Sequence, residues 1–278
     1  TVMPTGGGKS LCYQLPATIF DGITIVVSPL IALMQSQVAQ LKLLGINSGC
    51  INSSNTDKEN NEVIQMLEND DIKLLYLAPE RLIKQETINI LKTKNISLLA
   101  IDEAHCVSQW GHDFRKEYLK LGEIRSELMV QTIALTATAD ETTRNDIIDK
   151  IFPKPPSIFV TGFDRPNIYL SMLPKNNAKK QILSFIEPLR GQTGIIYCST
   201  RKKTEEWSKL LKEKNFNALP YHAGMNANDR KKNLETFIQD EGIIITATIA
   251  FGLGIDKPNV RFVCHANMPA NIESYYQE

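Results

Sequence analysis

Long apolar runs and paired cysteines are both missing from this chain. No apolar stretch approaches the ~20 residues that cross a bilayer, so no helical membrane span is expected. The opening Thr1-Val2-Met3-Pro4 puts no charged leader ahead of an apolar segment, and no secretory signal is expected. The five cysteines, at 12, 50, 106, 198 and 264, are odd in number, scattered and form no CxxC pair. That pattern points to reduced thiols in a cytosol and away from a zinc knuckle within these residues. Excess charge of one sign is missing too: 31 Lys+Arg stand against 31 Asp+Glu. Bulk electrostatics therefore announces no nucleic-acid partner. Divided at residue 160, the chain has 15 basic and 19 acidic residues before the cut and 16 and 12 after it, or −4 and +4. Ordinary solvated surfaces account for that difference. Low-complexity segments and short-period repeats are absent as well.

What is present is regular alternation. The 278 residues, 42% hydrophobic and 22% charged, are enough for one large or two ordinary domains with sizeable cores. Short Ile/Val/Leu runs at 23–28, 73–78, 98–101, 132–135, 194–198, 243–246 and 261–264 read as strands. Most are continuous rather than alternating, as in parallel strands covered on both faces. Amphipathic stretches at 30–44, 87–93, 141–151, 202–213 and 229–238 lie between them. This predicts βαβ units and an α/β fold with mostly parallel sheets. Phe152-Pro153-Lys154-Pro155-Pro156 would stop a helix, and Asp164-Arg165-Pro166-Asn167 is a second turn-rich break. Two α/β domains are expected, at 1–160 and 161–278.

Near the start, Pro4-Thr5-Gly6-Gly7-Gly8-Lys9-Ser10 has the chemistry of a phosphate cradle. Glycines allow a tight turn whose N–H groups face phosphate oxygens. Lys9 can reach the β- and γ-phosphates, and the Ser10 hydroxyl can hold Mg²⁺ at a helix N-terminus. Met3 stands where the usual G-x-x-x-x-G-K-[ST] pattern has its first glycine. A glycine-rich terminal tail is the other reading of this segment taken alone. Further on, Asp102-Glu103 follows the apolar Leu98-Leu99-Ala100-Ile101. Acids at the carboxyl end of a buried strand sit where open α/β sheets bind ligands. Asp102 is expected to complete the Mg²⁺ shell opposite Ser10, Glu103 to orient an attacking water, and His105 to make a contact across the nucleotide cleft. The pair points to ATP hydrolysis.

After the acids comes Ser108-Gln109-Trp110-Gly111-His112-Asp113-Phe114-Arg115, which spends large aromatics in a polar stretch. With MPTGGGKS, VVSPLIALMQSQV, YLAPERL, DEAHCVSQWGHDFR, LTATA, FDRPN, IIYCSTRKKTEE, YHAGM and IAFGLGIDKPNVRFVCH in order, the whole chain resembles the RecQ group of superfamily-two DNA helicases. The SQWGHDFR segment carries the most specific part of that likeness. The resemblance implies two RecA-like lobes (the P-loop NTPase fold) with ATP between them, single-stranded or forked DNA as partner, and 3′→5′ unwinding in recombination and repair. It implies that Trp110, His112, Phe114 and Arg115 sense DNA, with aromatic faces stacking on bases at about 1–3 kcal/mol each. Ser28, Pro29 and Arg81 are expected to touch the DNA backbone from the first lobe, and Ser199, Arg201, His222 and Thr246 from the second. Thr136 and Thr138, with Gly252, Gly254 and Asp256, would couple nucleotide state to DNA grip.

The ends of the chain fall inside the family's pattern. A segment that recognises adenine, an arginine-bearing segment near the γ-phosphate, and zinc-binding and winged-helix modules are not among these residues. Zinc is expected only beyond the C-terminal end. An internal fragment of a longer helicase is expected, one that alone binds nucleotide poorly and unwinds nothing. No membrane partner is implied. A bacterial cytoplasm with nucleoid association, or a nucleus if the source is eukaryotic, is the expected location. A catalytically silent nucleic-acid clamp on the same fold is the alternative.

Overall fold

Five consecutive apolar or β-branched residues, Ile23-Thr24-Ile25-Val26-Val27, form β1 (Ile23–Val27), and all five are buried. A strand covered on both faces needs no polar alternation, and this one sits at the centre of a parallel sheet. The computed structural model describes residues 1–109, 114–162, 165–248, 251, 257–269 and 274–275. The chain divides into two compact units, Thr1–Arg165 and Pro166–Glu278.

In the first unit, α1 (Leu11–Ile19) precedes β1, and α2 (Ile31–Leu43) follows it. Then come β2 (Ser48–Ile51), α3 (Asp57–Glu68), β3 (Leu74–Leu77), α4 (Pro79–Leu82), α5 (Gln85–Lys92) and β4 (Ile96–Ile101). The unit continues through α6 (Leu121–Leu128), β5 (Thr132–Ala134) and α7 (Glu141–Ile151). The strands lie in the order β2-β3-β1-β4-β5, all parallel. Two helices of this unit, α3 and α7, start where a side chain satisfies a free N–H. Thr56 and Glu59 form a reciprocal capping box at α3, and Asp140 Oδ1 accepts from Thr143 N at 2.7 Å at the start of α7. Each such cap is worth about 1 kcal/mol.

The second unit contains α8 (Ala178–Ile186), β6 (Thr193–Tyr197), α9 (Arg201–Glu213), β7 (Ala218–Tyr221), α10 (Ala227–Gln239), β8 (Ile244–Ala247) and β9 (Val260–His265). Its order is β7-β8-β6-β9, again all parallel. The winding matches β2-β3-β1-β4 of the first unit. Proline is tolerated in β7, at Pro220, because β7 is an edge strand. Gly194 in β6 is required by packing: a Cβ there would lie 2.2 Å from Phe262 Cζ.

Two strands went unforeseen, β2 (SGCI) and β7 (ALPY). Glycine and proline break up their apolar runs, and both lie at edges where the sheet recruits them by pairing. The other seven lie within two residues of their expected limits. No helix among the described residues is long and apolar enough to cross a membrane.

Candidate nucleotide and nucleic-acid sites

Parallel pairing aligns the carboxyl ends of the first sheet. Val27 pairs with both Leu77 and Ile101, and Ile101 pairs with Ala134. Ser28, Ala78, Asp102 and Leu135 therefore leave the sheet side by side. Val2 bridges in parallel to Thr136, which brings the glycine loop to the same edge. Gly6 and Gly8 have φ of +77° and +84°, a left-handed conformation natural only to glycine. A Cβ on Gly7 would lie 2.9 Å from the Pro4 carbonyl oxygen. Thr5, Gly6 and Gly7 are exposed, and Gly8, Lys9 and Ser10 are half-buried. Lys9 Nζ folds back to donate to the carbonyls of Met3 and Pro4 at 3.3 and 3.4 Å.

Asp102 is 5% exposed. Burial pushes its carboxyl above the ordinary range, opposed by the Glu103 N–H, the charge of Lys9 and the Ser28 hydroxyl. Glu103 N donates to Asp102 Oδ1 at 3.0 Å, and the Tyr118 hydroxyl donates to the Asp102 carbonyl at 2.9 Å. Lys9 and Asp102 thus share one electrostatic environment. The donor set suits Mg²⁺, which takes one or two protein oxygens and keeps several waters. Asp102 and Ser10 would hold it.

Glu103 adopts φ +48°, rare for a side-chain-bearing residue and worth about 1–3 kcal/mol of strain. Its Oε2 lies 3.4 Å from His105 Nδ1. The same Nδ1 is 2.9 Å from Thr136 Oγ1. Thr136 donates its own proton to the Thr138 carbonyl at 3.0 Å, so its oxygen accepts, and His105 Nδ1 carries the hydrogen. His105 joins the acid pair to the 136–138 segment, a link the sequence expectation, a contact across the cleft, did not contain.

Arg115 donates to the Pro29 carbonyl at 3.3 Å, tying the exit of the aromatic segment to the turn after β1. Phe114 is half-buried beside it in sequence. Ser108 is fully buried and donates to Asp146 Oδ2 of α7 at 2.6 Å. Ser28 is also buried, and its hydroxyl is one of the groups that hold the Asp102 carboxyl down. Arg81, in α4, is half-buried. Trp110 and His112 lie outside the described residues, as do Gly252, Gly254 and Asp256.

In the second unit, Ser199 and Arg201 are exposed just beyond β6. Ser199 Oγ donates to Asn267 Oδ1 at 3.3 Å, and Thr200 caps α9. His222 is buried, with both ring nitrogens engaged: Gly224 N donates to Nδ1 at 3.2 Å, and Nε2 donates to Glu205 Oε1 at 3.2 Å. Thr246 is fully buried and donates to the Thr204 carbonyl at 2.9 Å. The strand burying Thr246 also points its hydroxyl at α9.

Residues 1–147 match the family described as DEAD/DEAH box helicase, and residues 175–278 match the helicase conserved C-terminal domain. Over 278 residues, the whole chain, it is 45% identical to the ATP-dependent DNA helicase RecQ of Pasteurella multocida. The chain belongs to the DEAD/DEAH box helicases, in their RecQ group. Identity to the ATP-dependent DNA helicase RecQ of Bacillus subtilis is 44% over 279 residues, again the whole chain. This helicase core spans 44% of the first relative's length and 47% of the second's. Among solved structures, Mss116p bound to ssRNA and AMP-PNP matches 99% of the chain and 61% of its own, with TM-score 0.75 and 20% identity. The Mycobacterium smegmatis helicase Lhr bound to ssDNA and AMP-PNP covers all of the chain and 41% of its own, at TM-score 0.69 and 19% identity. Likeness of that degree establishes the shared fold.

Two polar residues of the first site escaped sequence reasoning, Gln37 and Tyr13. Tyr13 donates to Gln37 Oε1, and Gln37 Nε2 donates to Ser10 Oγ, each at 2.8 Å. The only signal was a glutamine on a helix face otherwise apolar, with Met34, Val38 and Leu41.

Proposed function

We propose that this chain is the ATP-driven core of a 3′→5′ DNA helicase that moves along single-stranded DNA and opens forked or junction duplexes in recombination and repair. The observation that carries the reading is the shared environment of Lys9 and the buried Asp102, with Glu103 next in the chain, its Oε2 3.4 Å from the His105 Nδ1 that also meets Thr136. The names of the RecQ relatives and the ATP-binding chemistry of the glycine loop support it.

In this reading the backbone of Gly6, Gly7 and Gly8 receives phosphate oxygens, and Lys9 leaves the Met3 and Pro4 carbonyls to meet them. Mg²⁺, held by Ser10 and Asp102, would supply neutralisation of phosphate charge. Glu103 orients the attacking water and accepts its proton. His105 passes any displacement of Glu103 to Thr136 and Thr138, the coupling segment. Arg81, Phe114, Arg115, Ser199 and Arg201, with Trp110 and His112, would grip DNA through backbone and stacking, so little sequence preference is expected. Gly252, Gly254 and Asp256 would couple the second unit to the nucleotide.

In the full-length protein, Lys9→Ala should lose nucleotide binding. Glu103→Gln should lose DNA-stimulated hydrolysis, about 10²–10⁴-fold, while still binding nucleotide. A Glu103→Gln variant hydrolysing ATP at the wild-type rate would overturn the reading, and so would a DNA-binding wild type without ATPase activity.

A further inference from the structure

Ser10 stands at the N-terminus of α1, where a serine usually caps the helix by accepting from a backbone N–H. It makes no such bond. Its oxygen instead accepts from Gln37 Nε2 at 2.8 Å, across 27 residues of chain. Gln37 is 8% exposed, on the inner face of α2 between Met34, Val38 and Leu41. The other end of its amide is fixed as well, since Oε1 accepts from the Tyr13 hydroxyl at 2.8 Å. With the Tyr13 phenol donating to Oε1, the N–H₂ end of the amide faces Ser10.

The pocket behind this trio keeps its protonation fixed. The Tyr13 and Tyr76 rings pack edge to face, with centroids 6.4 Å apart. Gln14 Nε2 donates to the Tyr76 hydroxyl at 3.1 Å. Burial pushes Tyr13 well up and Tyr76 to about 12, so both remain phenols over the working pH range.

We propose that Gln37 is a positioning residue for the cation at Ser10. Its amide N–H occupies one lone pair of the Ser10 oxygen and fixes the side-chain rotamer. The second lone pair is thereby left to a divalent cation, while the hydroxyl can donate inward to the Tyr13 phenol oxygen. A neutral amide does this without adding a negative charge behind the phosphate loop, as glutamate would. Because α2 begins three residues after Ser28, the same bond also ties the cation ligand to the helix leading from the turn that Arg115 holds. The inference rests on the nucleotide-site reading above and adds a residue to it.

The test is a titration of the full-length protein with a fluorescent ADP analogue, in Mg²⁺ and in EDTA. The quantity read is the ratio of the two affinities. Gln37→Met preserves length and volume but donates nothing. It should lower the Mg²⁺-linked gain about tenfold, the usual size for loss of an orienting partner, and leave affinity in EDTA unchanged. Tyr13→Phe should shift the ratio in the same direction by less. In a Ser10→Ala background, Gln37→Met should have no further effect, because its only route to the cation is gone. A Gln37→Met chain with the wild-type ratio overturns the inference. So does equal weakening with and without Mg²⁺, which is what general loosening of the fold would give. A wild type with no Mg²⁺-linked gain would sink the nucleotide reading itself, and the inference with it.

Discussion

Asp102→Asn should make the free protein more stable. Asp102 is 5% exposed, and burial is the largest influence on its carboxyl, outweighing the Glu103 N–H, Lys9 and Ser28. The charged form is therefore held in the folded state at a cost. Asparagine retains the acceptor for Glu103 N and removes the charge. Relief of an incompletely compensated buried charge is worth about 1–3 kcal/mol, or roughly 3–9 °C of melting temperature for a unit this size. The pH dependence has a definite sign. A carboxyl raised in the folded state binds more protons folded than unfolded, so wild-type stability falls as pH rises above the ordinary value of 3.8. The advantage of asparagine should be larger at neutral pH and vanish as pH falls toward 3.8. Hydrogen exchange of β1 and β4 amides would read this within the first unit alone. Equal or faster exchange in Asp102→Asn at pH 7 would refute the reasoning, and so would an advantage that persists undiminished at pH 4.

Three further outcomes are expected. Thr246→Val should destabilise the second unit by about 1 kcal/mol through loss of the bond to the Thr204 carbonyl, yet leave the salt dependence of DNA binding unchanged. Arg201→Ala should flatten that dependence, and equal effects of the two on DNA affinity would support a phosphate-facing role for Thr246. Cys198 and Cys264, whose thiols burial pushes to about 12, should resist alkylation at pH 8, while the half-buried Cys12 reacts first. Mass mapping after brief labelling decides it.

The central strands were legible because a run such as ITIVV is continuous, and continuity means cover on both faces. Edges were less legible: SGCI and ALPY become strands only because β3 and β8 offer unpaired backbone. The glycine loop, Asp102 and Glu103 could be read from residue type and order alone, since their chemistry is local. Partnership across distance could not. Nothing in the sequence pairs Gln37 with Ser10, turns the Thr246 hydroxyl toward α9, or shows that His105 bonds to Thr136. Those depend on which faces meet once the sheets have closed. The left-handed backbone of Glu103 is likewise invisible in its residue type.

Strand register works as a ruler in this molecule. Each residue of a β-strand advances about 3.3 Å and reverses the side-chain direction. One inserted residue in β1, β4 or β5 would therefore carry Ser28, Asp102 or Thr136 out of line and turn its side chain over. The loops at the opposite end of each sheet, near 45, 70 and 215, lie away from that edge. Length variation among descendants of this chain should gather there, and peptide tags inserted at those turns should leave nucleotide chemistry intact.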